Sequence, residues 1–118
     1  LQRQLVDTSP EALHEIKRRA QALGLPLMGY STHQGFVSPD ADVRRRNFET
    51  TVECLEQAYR LGIPTMRVNS GTWGTRKNFD DLMAHRGLED PLPGHTDEAG
   101  FGWVIEAYGK LAIEAGRR

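Results

Sequence analysis

The sequence predicts an α/β fold built on a parallel sheet, and three observations carry that prediction. A six-residue phrase recurs: Leu23-Gly24-Leu25-Pro26-Leu27-Met28 matches Leu61-Gly62-Ile63-Pro64-Thr65-Met66, each a helix stop followed by an apolar run. Both runs end in polar residues, Ser31-Thr32-His33 in one and Asn69-Ser70 in the other. Stretches with helical apolar spacing flank both runs. Helix stop, strand and polar strand end, repeated, is the pattern of βα units.

The first helix starts at Thr8-Ser9-Pro10-Glu11. Thr8 with Glu11 forms a capping box, or Ser9 caps and Pro10 opens the helix. Leu13, Ile16, Ala20 and Leu23 share one face, and Gly24 stops the helix. Residues 25–33 then read as a buried strand, with Pro26 near its start, where a missing N–H is tolerated. A second helix follows Ser38-Pro39-Asp40 and ends near Leu61, ahead of Gly62. Its expected apolar stripe is Val43, Phe48, Val52, Leu55 and Tyr59. Residues 63–70 form the second strand, and Met28 and Met66, at equivalent positions, read as core.

Residues 71–96 form a long connection in which Asn78 caps a short helix over 79–85. Connections of this length in compact domains are usually functional. The last helix starts near Thr96, with Phe101, Val104, Ile105, Tyr108, Leu111 and Ala112 on its apolar side. Ala115-Gly116 repeats the helix-stop position, so another strand is due where the chain stops at Arg118. The expectation is that residues 1–118 are one segment of a larger α/β domain. The alternative is a small domain that dimerises through its sheet edge.

With 118 residues, 38% of them hydrophobic, the chain can form one ordinary globular unit. Fifteen Lys and Arg against sixteen Asp and Glu leave a net charge of -1, which disfavours a basic nucleic-acid binder and a polybasic membrane binder. No apolar run approaches the ~20 residues of a membrane span. The single Cys54 excludes an internal disulfide framework and fits a reducing compartment, so the cytoplasm is expected.

Ser31-Thr32-His33-Gln34-Gly35-Phe36 and Arg67-Val68-Asn69-Ser70-Gly71 resemble the sugar phosphate isomerase/epimerase family, the xylose-isomerase-like TIM barrels. Leu61-Gly62-Ile63-Pro64, Trp73-Gly74-Thr75, Pro91-Leu92-Pro93-Gly94 and the stretch from Gly100-Phe101 to Val104-Ile105 strengthen the resemblance, which runs from about Val6 onward. It implies a partial (β/α)8 barrel: two parallel strands, the second and third of the barrel, with about three main helices and one long loop. The full fold needs about 250 residues and places its chemistry at the strand C-terminal ends.

The resemblance further implies a metal-dependent isomerase or epimerase acting next to the carbonyl of a small sugar or sugar phosphate. The divalent metal (Mn, Mg, Co or Zn) would be held by Glu, Asp and His from later strands, so none of its ligands is assigned to this chain. The 118 residues alone are expected to be inactive, with the rest of the barrel or a second copy as partner. Three other readings stay open. One is a barrel of the apurinic-endonuclease type, disfavoured by Asn69 at a strand end where such sites use His and by the net charge. The others are a dehydratase or lyase, and a non-catalytic fragment that self-associates.

His33 leads the candidate site residues. An imidazole can donate to a sugar hydroxyl, move a proton near neutral pH or ligate a metal; otherwise it fixes the following loop. Asn69 and Ser70 can bind hydroxyl or phosphate oxygens, or close a strand-end turn. Arg67 shares a face with Asn69 and forms a structural ion pair or supports the substrate, with Gly29 leaving room for it. Trp73 is a substrate wall or a loop anchor. Trp103 and Cys54 read as packing. Arg44-Arg45-Arg46 read as a solvated helix face paired with later Glu residues, and His85 and His95 as loop residues that can cover a site.

Overall fold

The computed structural model describes Leu5 and residues 7–118; Val6, where the resemblance begins, lies outside the described residues. The elements run α1 (Pro10–Ala22), β1 (Tyr30–Ser31), α2 (Ala41–Leu61), β2 (Met66–Arg67), α3 (Phe79–Ala84) and α4 (Asp97–Gly116). The fold is α/β, and β1 and β2 pair in parallel with Tyr30 opposite Met66 and Ser31 opposite Arg67.

The helix ends follow local chemistry. Of the two starts open to α1, the structure takes Ser9: its hydroxyl accepts from the Ala12 N–H, and Pro10 is the first helical residue. Asp40, Asn78 and Thr96 cap α2, α3 and α4 in the same way. Gly62 ends α2 in the left-handed region at φ 71°. No helix among the described residues is long and apolar enough to cross a membrane.

The regular ladder is shorter than the sequence suggests, two residues per strand. Backbone pairing nonetheless flanks it, from Tyr30 N–H to Thr65 C=O (3.0 Å) and from Thr32 N–H to Arg67 C=O (3.1 Å). Met28 lies ahead of the ladder and is 64% exposed, which corrects its assignment to the core. Among the described residues no helix or strand covers that end of the strand.

α2 packs between α1 and α4. Val43, Phe48, Val52 and Leu55 of its expected stripe are partly buried, but its most buried face is shifted from that stripe. That face runs through Asn47, Thr51, Leu55, Ala58 and Leu61, whereas Tyr59 is 59% exposed. Small side chains at Thr51 and Ala58 let the helix lie close to its neighbours. Thr51 tolerates complete burial because its hydroxyl donates to the Asn47 carbonyl at 2.7 Å. Phe36 fills the centre, fully buried and edge-to-face with Tyr108 at 6.2 Å. On α4, Leu111 is buried, but Phe101 and Ile105 are exposed, against their expected place on the apolar side.

Alternation sorts the sheet into two faces. Tyr30, Thr32, Met66 and Val68 are partly or fully buried, while Gly29, Ser31, His33 and Arg67 are exposed. Among the described residues the helices cover one face and leave the other open. Of the polar residues that the sequence singled out at the end of the first strand, Ser31 and His33 lie on the open face and Thr32 is buried on the helix side.

Candidate functional site at the strand C-terminal ends

The residues after β1 and β2 are tied to each other before they reach solvent. Buried Thr32 donates both its N–H and its hydroxyl to the Arg67 carbonyl. The Asn69 side-chain amide donates to the Thr32 carbonyl at 3.2 Å. Further out, the Phe36 N–H donates to the Ser70 carbonyl at 2.7 Å, and the Asn47 amide of α2 donates to the Gly35 carbonyl, also at 2.7 Å. Gly35 and Gly71 cross in backbone contact, a Cβ on Gly35 falling 2.5 Å from the Gly71 Cα.

These ties shape a cleft of about 560 Å³ lined by His33, Asn47, Asn69, Ser70, Gly71 and Thr72, among others. Its lining holds no Asp, Glu, Lys or Arg. His33 is exposed there and makes no hydrogen bond among the described residues. The alternative in which His33 fixes the following loop therefore has no contact to support it. Asn69 has a double position: one N–H joins the strand ends while the residue lines the cleft. Ser70 gives its carbonyl to Phe36 and keeps its hydroxyl uncommitted among the described residues.

Arg67 is exposed and has no ion pair among the described residues, so neither the structural pair nor the substrate support open to it is formed within this segment. By alternation it shares the open face of the sheet with Gly29, Ser31 and His33. Gly29 does not make room for it; a Cβ there would meet the Thr65 hydroxyl at 3.8 Å.

Trp73 lies outside the cleft lining. Its indole N–H donates to an Asp97 carboxylate oxygen at 2.9 Å, and its ring packs edge-on to Trp103 at 6.0 Å and stacks on His95. That is the loop-anchor alternative. His95 belongs to the same cluster, and His85 bonds back to Asp81 on its own helix. Arg44 departs from the solvated face expected of it: it leans over the Trp103 ring at 4.7 Å and donates to the Ser38 carbonyl. Arg45 behaves as expected, pairing with Asp42 and Glu49.

Two further titratable groups lie beneath the sheet, on its helix side. Burial pushes the Tyr30 phenol up to about 12, with Cys54 beside it. Burial also raises the Cys54 thiol. Both stay protonated near neutral pH, and neither is a base or a nucleophile for the cleft.

Asn47 was not legible as a site residue. Its only sequence signal is a polar pair, Asn47 and Thr51, spaced i,i+4 on one helix face. Glu89 was missed as well, because its partners are backbone amides fifteen and sixteen residues away.

A family model described as xylose isomerase-like TIM barrel matches residues 1–118. No curated protein and no solved structure matches the chain.

Proposed function

The chain belongs to the xylose isomerase-like TIM barrel family, and on that premise we propose that its strand-end cleft binds a small sugar or sugar phosphate for isomerisation or epimerisation next to a carbonyl. One observation carries this reading. The two parallel strands deliver an unbonded imidazole, an Asn and a Ser to one uncharged cleft at their C-terminal ends, the side on which such barrels do their chemistry.

A neutral cleft rich in hydroxyl, amide and imidazole groups suits a polyhydroxylated ligand, whose hydroxyls both donate and accept. His33 is the group able to take or return a proton near neutral pH. The amide of Asn69 and the hydroxyl of Ser70 orient hydroxyls or phosphate oxygens. Arg67 supports from the open sheet face, and Trp73 contributes through the position of its loop.

The divalent metal implied by the resemblance is assigned no ligand in this chain. Among the described residues no group of three or more His, Cys, Asp or Glu is placed to hold one. The chemistry assigned to this chain therefore rests on its own side chains.

The test is a nuclear magnetic resonance titration of the 118-residue chain with D-xylose, D-xylulose and D-ribulose 5-phosphate, and with a short abasic DNA duplex. The expected result is saturable shifts at His33, Asn69 and Ser70 with at least one sugar and none there with DNA. Shifts at these residues with DNA alone would overturn the reading in favour of a DNA-processing barrel.

A further inference from the structure

The long connection after β2 contains an interaction that the cleft does not use directly. Glu89 spreads its carboxylate over two successive backbone amides. One oxygen accepts from the Trp73 N–H at 2.9 Å and the other from the Gly74 N–H at 3.1 Å. Hydrogen bonds from amides to a carboxylate are charge-assisted and stronger than neutral ones. Gly74 is in the left-handed region at φ 70°, which side-chain-bearing residues rarely adopt.

The neighbouring contacts make this a clasp. The Thr75 hydroxyl donates to the Asp90 carbonyl at 2.8 Å, and Arg76 Nε donates to the Leu88 carbonyl at 2.9 Å. Residues 73–76 and 88–90 therefore lie side by side at the base of the excursion that carries α3. On its other side, Trp73 is fixed to α4 through Asp97 and Trp103, its ring lying under Gly100.

Upstream of Trp73, the side chains of Ser70 and Thr72 make no hydrogen bonds among the described residues, and these two residues with Gly71 form one wall of the cleft. Among the described residues, the Phe36 N–H and the Gly35 crossing hold that wall at Ser70 and Gly71, and the Trp73 contacts to α4 together with the Glu89 clasp hold the chain just beyond Thr72. Glu89 does not line the cleft. It lines a second groove, of about 380 Å³, behind the same three residues.

We infer that Glu89 is a positioning residue for the cleft: through the Trp73 and Gly74 amides it sets the Ser70–Thr72 wall that a sugar meets. The inference rests on the sugar-binding reading for its ligand, but not for its geometry.

The experiment uses the 118-residue chain with Glu89→Gln, Glu89→Ala and Glu89→Asp. Backbone amide exchange is followed residue by residue, and D-xylose affinity is read from the His33 and Asn69 resonances. In the Gln and Ala variants, exchange at Trp73 and Gly74 should rise roughly tenfold or more as their acceptor is weakened or lost. The Ser70, Gly71 and Thr72 amide resonances should shift. D-xylose should bind about three- to tenfold more weakly, with the melting temperature nearly unchanged, because the clasp lies outside the core. Glu89→Asp keeps both acceptor oxygens and should recover part of the affinity.

Unchanged exchange at Trp73 and Gly74 would overturn the clasp. Faster exchange there with no shift at Ser70 to Thr72, or with wild-type D-xylose affinity, would overturn the positioning role. If wild-type protein shows no D-xylose shifts at all, sugar binding fails for this probe, and the resonances of residues 70–74 still decide the role of Glu89.

Discussion

Gly35 and Gly71, on the two loops that leave the strands, touch through their backbones. A methyl group on Gly35 would lie 2.5 Å from the Gly71 Cα, and one on Gly71 would lie 3.0 Å from the Gly35 Cα. Gly71 also sits at φ 101°, outside the range comfortable for other residues. Gly35→Ala should therefore push the loops apart at a cost of about 1–3 kcal/mol, the usual range for overpacking. Urea melts measure the cost. A variant as stable as wild type would show that the crossing is not tight in solution.

His33→Ala should leave stability unchanged, since the imidazole is exposed and makes no hydrogen bond among the described residues. It should weaken sugar binding by about tenfold, the loss of one good polar contact with the ligand. His33→Gln keeps a hydrogen-bonding group and should bind at an intermediate level. Wild-type binding by a normally folded His33→Ala chain would remove the histidine from the site.

Asn69 joins the strand ends and lines the cleft, so its substitution should affect stability and binding together. Asn69→Asp cannot donate to the Thr32 carbonyl while ionised. It should cost about 1 kcal/mol in denaturant melts, more than His33→Ala. Equal stability of the two variants would contradict this.

Stability should fall as pH rises from about 10 to about 12. Burial holds the Tyr30 proton on the folded chain up to about 12, against the ordinary phenol value of 10.0. Between those values the folded state binds more protons than the unfolded one, so unfolding gains on folding with each step in pH. The contribution is complete below pH 10 and lost through 12. Tyr30→Phe should flatten this slope relative to wild type while losing the bond to Gln57. An unchanged slope in urea melts at pH 9, 10 and 11 would point to other groups.

The exposed side chains of α4 should make the chain associate. Phe101, Ile105 and Tyr108 are 68%, 69% and 37% exposed and lie at i, i+4 and i+7 on one face. Light scattering should show a mass rising with concentration, and Phe101→Ser with Ile105→Ser should reduce it. A wild-type monomer at high concentration would show that this face is tolerated in water.

The sequence by itself determined whatever depends on neighbours along the chain. Asp40, Asn78 and Thr96 cap their helices because a side-chain oxygen reaches an N–H two or three residues on, whereas at α1 the sequence left Thr8 and Ser9 open and the structure took Ser9. Gly62 stops α2 because a left-handed residue is needed there. The repeated phrase around Pro26 and Pro64 placed two parallel strands in order, and their polar ends marked the site's side of the sheet. Tertiary structure alone decided what depends on residues distant in sequence. On α2 the most buried positions are Thr51, Ala58 and Leu61 rather than Tyr59 or Phe48, a choice made by its contacts with α1 and α4. Trp73 went to Asp97 and Trp103 rather than to the cleft, and Arg44 to the Trp103 ring. Asn47, Gly35 and Gly71 meet across 12 to 36 residues, and Glu89 finds two backbone amides that carry no sequence signal at all. Backbone donors and close approaches are common to every residue, so only the folded path of the chain selects which of them meet.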